Sequence, residues 1–367
     1  MGIKKIEVYC TTLRNKEPFR ISAGTTLETS NVILKVTTDY DVVGWGESSP
    51  SKRVTGETWE TVIKVIDSFA PKLVGMCPLR IEQVIDVMDS TIKDNPAAKA
   101  SVDMALYDIL GKTVHKPLFM LLGGFRTEVL TDLTMSIKSP SEMAKDASAA
   151  VERGFKAIKV KVGMDPDEDI ERIKLIREAV GCGVQIRIDA NQGWTTERAI
   201  YVLNKIEEFE VQFVEQPVQA CDVKGLKTVR KNSPIPVMAD ESIHSPEDAM
   251  RLIKAEAVDL INIKLMKCGG ILKGKKIAEV AESAEVPCMI GCMSESSLGI
   301  AAAAHLAAGT RNIKYADLDS DLMQKDKLVK KGALGVDKSN RIFSSSHGLG
   351  IEEMDEMLLG KPLRVYR

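Results

Sequence analysis

Ala157-Ile158-Lys159-Val160-Lys161, Val184-Gln185-Ile186-Arg187-Ile188-Asp189 and Val211-Gln212-Phe213-Val214-Glu215 are three short apolar runs that each stop on a charged residue. Runs of this length, rich in β-branched residues, read as buried parallel strands. The pattern continues in both directions: run ends fall at Thr134, Lys161, Asp189, Glu215, Asp240, Lys264, Gly291 and Asp317, spaced 24 to 28 residues apart, and residues of helical period follow each. Parallel neighbours need a crossover of about a dozen residues or more. Eight evenly spaced strands with helix-length connections therefore predict an α/β protein, a modified TIM-type (β/α)7β barrel over residues 126–339. Helix starts agree: Ser139-Pro140-Ser141-Glu142 and Ser245-Pro246-Glu247-Asp248 each offer a capping hydroxyl, a first-turn proline and an acid at the right offset.

Outward from the barrel, residues 1–125 read as an α+β capping domain. Ile3, Ile6 and Val8, then Val32 to Val36, then Val42 to Glu47 after a turn at Asp39-Tyr40-Asp41, predict a small antiparallel sheet, and helical periods fill Glu57 to His115. Residues 340–367 are expected to return and complete that domain. A chain of 367 residues exceeds one ordinary core, and a barrel that takes most of it removes the difficulty. With 50 Lys+Arg against 52 Asp+Glu there is no bias toward polyanions, and 8 Phe, 6 Tyr and 3 Trp make no base-stacking surface, so nucleic-acid binding is excluded as a function. The most apolar segment, Leu298 to Ala308, is short and broken by His305, and no apolar leader precedes the first strand, so no membrane association is expected. Seven cysteines without a C-x-x-C pair predict reduced thiols and a cytoplasmic protein.

Chemistry in such a barrel gathers at the C-terminal ends of the strands. Asp189, Glu215 and Asp240 end three successive strands, and like charges so close need a cation. An all-oxygen set with no His or Cys in the pattern suits Mg²⁺ first and Mn²⁺ second. One buried acid alone reads as a structural hydrogen-bond acceptor; three at matched ends do not. Lys159 and Lys161 share one strand face, and Lys264 arrives from four stations round the ring, opposite Lys161. Two amines facing each other across a metal-bound substrate can remove a proton α to a carboxylate from one face and return it to the other through an enediolate. Lys156, Lys267, Lys273 and Lys275 read instead as snorkelling surface side chains. Gly269-Gly270-Ile271-Leu272-Lys273-Gly274-Lys275 imitates a P-loop, but Lys276 stands where Ser or Thr is required, so it reads as a barrel loop. The four histidines are scattered and carry no cluster. Gly44-Trp45-Gly46-Glu47 reads as a strand end beside a capping loop.

This constellation resembles the enolase superfamily along nearly the whole chain, and within it the muconate lactonizing enzyme subgroup, since the seventh strand ends Gly291-Cys292-Met293 with no His. Asp317-Leu318-Asp319, the stretch Pro50 to Glu57 and the stretch Gly291 to Ser297 look like the dipeptide epimerases. The resemblance implies Lys161 and Lys264 as the acid/base pair, Lys159 at the substrate carboxylate, Asp189, Glu215 and Asp240 on Mg²⁺, Asp317 and Asp319 on the substrate ammonium, and Thr134 and Ser294 as pocket residues. The expected partners are a small dipeptide and further copies of the chain. Ala-Glu members carry an Arg after a Pro-Phe near the start; here the place after Pro18-Phe19 falls at Gly24, with Arg20 at the wrong offset. The expectation is therefore L-Ala-L-Xaa with apolar Xaa. Ala-Glu epimerisation, o-succinylbenzoate synthase, N-acylamino acid racemase and muconate cycloisomerase chemistry are the alternatives on the same fold, and a non-catalytic ligand-binding barrel is the alternative of another class.

Overall fold

The computed structural model of the chain describes residues 1–22 and 24–367. Three antiparallel strands open it: β1 (Ile3–Ile21), β2 (Gly24–Thr38) and β3 (Val43–Ser48), with Arg364–Tyr366 added on the far side of β1. Ile6, Val8, Val32, Leu34 and Val36 are fully buried. Helices Trp59–Leu73, Ile81–Thr91 and Pro96–Thr113 pack on this sheet; the first is amphipathic, burying Val62, Ile63, Val65, Ile66 and Phe69. Pro96–Thr113 is buried on nearly all sides. It lies so close to β3 that a Cβ at Gly44 or Gly46 would run into the carbonyl oxygens of Ala105 and Ser101. That contact explains the two glycines of the Gly44-Trp45-Gly46-Glu47 stretch.

The sheet differs from expectation in its reach. β1 runs for 19 residues and β2 for 15, making a hairpin arm far longer than the apolar alternation at Ile3 to Val8 and Val32 to Val36 indicates. The outer half is polar, Thr11-Thr12-Leu13-Arg14-Asn15-Lys16, because an arm that leaves the core has no continuous buried face to encode. The arm ends on the barrel: Arg20 N donates to Ser136 Oγ (2.7 Å), Ile137 N to Arg20 O (2.9 Å), and Ser22 Oγ to Ala190 O (3.0 Å).

After β4 (Glu128–Leu130), which pairs with Asn340–Phe343, come the barrel strands: β5 (Leu133–Met135), β6 (Ala157–Lys161), β7 (Gln185–Asp189), β8 (Val211–Glu215), β9 (Val237–Ala239), β10 (Leu260–Lys264), β11 (Cys288–Gly291) and β12 (Ile313–Asp317). They ladder in chain order, all parallel, with a helix-bearing crossover between each pair. The seam between β12 and β5 is bridged by Asp132 N to Ala316 O (3.2 Å) and Leu318 N to Thr131 Oγ1 (2.8 Å), so the barrel is nearly closed. Register does the rest. Lys161 stands beside Asp189 and Asp189 beside Glu215; Lys264 stands beside Gly291 and Gly291 beside Asp317. At the other end Arg187 lies over the rings of Phe213 (5.3 Å) and Tyr315 (5.2 Å) and pairs with Asp132 at 2.7 Å, plugging the interior.

The capping domain holds the barrel through acids aimed at helix N-termini, where unpaired N–H groups and the helix dipole favour negative charge. Asp103 accepts from Ile271 N and Leu272 N at the start of helix Ile271–Ser283. Glu47 accepts from Ser296 N (2.9 Å) and Gly299 N (2.8 Å) at the start of helix Ser297–Gly309. The Gly269-Gly270 turn thus serves a carboxylate of the chain, which occupies the place a P-loop would give to phosphate. Among the described residues no helix is long and apolar enough to cross a membrane, and all seven cysteines are free.

Candidate active site

Seven side chains, three lysines and four carboxylates, interlock at the C-terminal mouth of the barrel. Lys159 Nζ lies 2.7 Å from Glu215 Oε2, 2.7 Å from Asp317 Oδ2 and 3.1 Å from Asp189 Oδ2. Lys161 Nζ donates to Asp189 Oδ2 at 2.6 Å, and Lys264 Nζ to Asp240 Oδ2 at 2.7 Å. Asp189 and Glu215 are fully buried, and Asp240 and Lys159 are 1% exposed. β6 and β10 are four places apart in the sheet, so Lys161 and Lys264 enter from opposite staves. Lys159 is spent on three carboxylates beneath the mouth, Asp317 among them.

Lys267 departs from its expected surface role. It is 1% exposed and its ammonium donates to the carbonyl and Oδ1 of Asp240 and to Asn262 O. The short helix Leu265–Cys268 turns it back into the barrel three residues after Lys264. The Lys-x-x-Lys spacing at a strand end was the available signal, since residues three apart on a helical turn share a side. Lys156 is exposed, and Lys273 pairs with Asp89 at 2.7 Å on the capping domain.

The electrostatics follow from burial against pairing. Burial, with Asp189 adding to it, pushes the Glu215 carboxyl up to about 8. Burial would raise Asp189 and Asp240 too, but Lys161 and Lys159 hold the first below the usual carboxylate range, and Lys264 and Lys267 hold the second well below it. Burial would lower Lys264, but Asp240 and Glu215 outweigh it and keep the ammonium above the ordinary lysine range. Glu215 Oε2 is close to Lys159 yet at an angle that makes no hydrogen bond, and Glu241 Oε2 and Asn191 Oδ1 are also buried without a partner. Asp189, Glu215, Asp240, Glu241, Asp317 and Asp319 outnumber Lys159, Lys161, Lys264 and Lys267 by two among the described residues of this cluster. Unsatisfied buried oxygens and a deficit of two positive charges fit one hard divalent cation on Asp189, Glu215 and Asp240. Glu241 and Asn191, joined by a 3.1 Å hydrogen bond, are not among the residues expected from the sequence; Glu241 directly follows Asp240, and Asn191 lies two residues after Asp189.

Above this layer a cavity of about 390 Å³ opens between the hairpin arm and the barrel. Thr134, Lys161, Lys264, Ser294, Asp317 and Asp319 all line it, so six of the ten expected site residues meet in one space and the other four are buried behind it. Asp319 Oδ2 accepts from Thr134 N (2.6 Å), and its Oδ1 faces Cys292 Sγ at 3.9 Å. Asp317 has its cation already in Lys159; Asp319 has none, and burial together with Asp317 pushes it up to about 7. Phe19, Met135, Met293 and Met323 give the cavity apolar walls. At the arm's tip, a Cβ on Gly24 would lie 2.5 Å from Nη1 of Arg53, so the Arg53 guanidinium fills the space next to that glycine.

Residues 5–123 match the family described as the mandelate racemase/muconate lactonizing enzyme N-terminal domain, and residues 142–357 match the enolase C-terminal domain-like family. The chain is similar to the hydrophobic dipeptide epimerase of Enterococcus faecalis, 41% identical over 96% of this chain and 99% of that one. It is similar to the L-Ala-D/L-Glu epimerase of Clostridium acetobutylicum, 43% identical over 96% and 99%. A crystal structure of the dipeptide epimerase from Enterococcus faecalis V583 with Mg and L-Leu-L-Tyr superposes with a TM-score of 0.94 at 40% identity, covering 96% of this chain and all of that one.

Proposed function

Because this chain belongs to the mandelate racemase/muconate lactonizing enzyme family of the enolase superfamily, and is an isomerase of it, we propose that it inverts the α-carbon of the C-terminal residue of an L-Ala-L-Xaa dipeptide by transfer of a proton between two lysines. The observation that carries this reading is the pair Lys161 and Lys264, on staves four places apart and both lining one cavity, each amine backed by a buried carboxylate. Asp189, Glu215 and Asp240 would hold Mg²⁺, or Mn²⁺, which supplies electrophilic stabilisation of negative charge on the substrate carboxylate. The chain's own groups do the remaining work. Asp319, with Asp317 beside it, receives the substrate ammonium. Lys264, kept protonated by Asp240, gives a proton to one face of the α-carbon, and Lys161 takes the proton from the other; in the reverse reaction the two exchange roles. The hairpin arm, tied to Ser136, Ile137 and Ala190, covers the mouth and excludes water.

The apolar walls of the cavity support an apolar Xaa. The Arg53 guanidinium beside Gly24 favours a second reading, Ala-Glu, because it brings a cation to the arm's tip from a different loop. Free thiols agree with a cytoplasmic location. Incubation with Ala-Leu, Ala-Phe and Ala-Glu in D₂O tests the whole. Deuterium should enter the C-terminal α-carbon, and Lys161→Ala and Lys264→Ala should each abolish epimerisation while one of them retains exchange from one epimer only. Exchange that survives unchanged in both variants would sink the two-lysine reading.

A further inference from the structure

The cap–barrel seam contains two buried carboxylates that the proposed chemistry does not use. Glu47, on β3 of the capping domain, is fully buried, and Glu295, in the loop after β11, is 3% exposed. Both converge on the same spot: a Cβ on Gly299 would meet Glu295 Cγ at 2.7 Å and Glu47 Oε2 at 3.0 Å. Neither has an ion-pair partner among the described residues. Burial raises the Glu47 carboxyl, but donors surround it and oppose that push, Asn31 Nδ2 (2.7 Å) and Ser296 N (2.9 Å) on one oxygen and Ser296 Oγ (2.7 Å) and Gly299 N (2.8 Å) on the other, which favours its ionisation over that of Glu295. Glu295 receives only backbone donors, Met293 N on Oε2 and its own N–H, and has none of the side-chain donors that surround Glu47.

We propose that Glu295 is a positioning residue: uncharged against the ionised Glu47, it keeps the mouth loop 292–296 docked on the capping domain, and a second negative charge at this seam releases that loop. The loop is the one that places Ser294 in the cavity, so the consequence for catalysis rests on the function proposed above, whereas the docking itself does not. Asn31 ties the same loop to the cap a second way, donating to Ser294 O at 2.9 Å, and Ser320 Oγ and Gln324 Nε2 hold Glu295 O from the barrel side at 2.8 and 3.1 Å. The charged and titratable groups facing Glu295 are Glu47 from β3, Lys264 from β10 and Cys292 from its own loop. Burial first and Glu47 second push the Glu295 carboxyl up to about 8, with Lys264 opposing too weakly to reverse this. An ordinary glutamate titrates near 4.3. As pH rises from that value to about 8 the unfolded chain gives up this proton and the folded chain keeps it, so stability falls across that window, and above it the seam holds two charges.

Hydrogen exchange read by mass spectrometry on the full-length protein with Mg²⁺ tests this without any substrate. Protection of the amides of residues 292–299, relative to helix Pro140–Glu152, should fall by about tenfold per pH unit above about pH 8, the slope of a single titrating group. In Glu295→Gln, which cannot ionise, it should stay level, and the melting temperature of this variant should gain on the wild type as pH rises from 5 to 8. In Glu47→Gln protection should be low and level, because an amide cannot accept all four bonds. A wild-type profile that is flat, or a Glu295→Gln profile that falls with it, overturns the proposal. Dipeptide turnover with a flat profile would leave the function standing and this inference refuted; the pH-dependent release without turnover would do the reverse.

Discussion

Asp319 shows how one residue's surroundings set a measurable property of the protein. Its carboxyl is pushed up to about 7 by burial and then by Asp317, so it is uncharged below that pH and charged above it. A substrate ammonium pairs only with the charged form. The KM for a dipeptide should therefore fall as pH rises through about 7, and Asp319→Asn should flatten that dependence while lowering kcat/KM by about 10- to 100-fold, the loss of a charge-assisted hydrogen bond of about 1.5–3 kcal/mol. An N-acylated amino acid lacks that ammonium and should be indifferent to the change. Arg53 offers a second measurement. If its guanidinium reads an acidic side chain, Arg53→Gln raises the KM for Ala-Glu and leaves Ala-Leu alone; equal effects on both would remove Arg53 from any role in specificity. Lys267 offers a third, since breaking a buried ion pair from one side costs about 3–5 kcal/mol. Lys267→Met should lower the melting temperature by several degrees, an outcome that a solvated surface lysine would not give.

At the scale of elements, strand register and helix capping decide what these residues can do. Lys161, Asp189 and Glu215 share a level because β6, β7 and β8 pair residue for residue there. Those run ends were legible in sequence, since buried parallel strands are continuous apolar runs and a charge that interrupts one marks its end. Lys267 is legible only through its three-residue spacing from Lys264, because the four-residue helix Leu265–Cys268 that redirects it has no amphipathic period to detect. The length of the hairpin arm is illegible for a related reason: its outer half is held by polar contacts, Arg14 on Asp326 and Lys16 on Leu322 O as well as the tip on Ser136, and these leave no apolar period along the strand. Packing of Pro96–Thr113 on β3 makes a sharp prediction. Gly46→Ala drives a methyl into the Ser101 carbonyl, and backbone cannot give way as a flexible side chain does, so the protein should lose about 1–3 kcal/mol in a urea titration. Gly183→Ala, with nothing within 4 Å of the new Cβ, should change stability by less than about 0.5 kcal/mol and serves as the control.

For the molecule as a whole, the surplus of two carboxylates at the mouth predicts that a divalent ion stabilises the fold. Mg²⁺ at about 100 times its Kd should add about 2.7 kcal/mol, raising the melting temperature with the logarithm of concentration, and a chelator should reverse it; a melting temperature indifferent to Mg²⁺ would remove the ion site. The eight-strand α/β barrel, its capping domain and the three carboxylates at matched strand ends were all determined by the sequence alone, because periodicity and spacing are local properties that every strand repeats. Which amine each carboxylate holds, which oxygens are left without partners, how Glu47 and Asp103 of one domain cap helices of the other, and where Arg53 lies were decided only by tertiary structure. Those facts join residues up to 252 positions apart, as in Glu47 to Gly299. A one-dimensional pattern records which groups a chain carries at each level of a fold, whereas pairing between groups is a matter of distance and desolvation in three dimensions, which no spacing along the chain encodes.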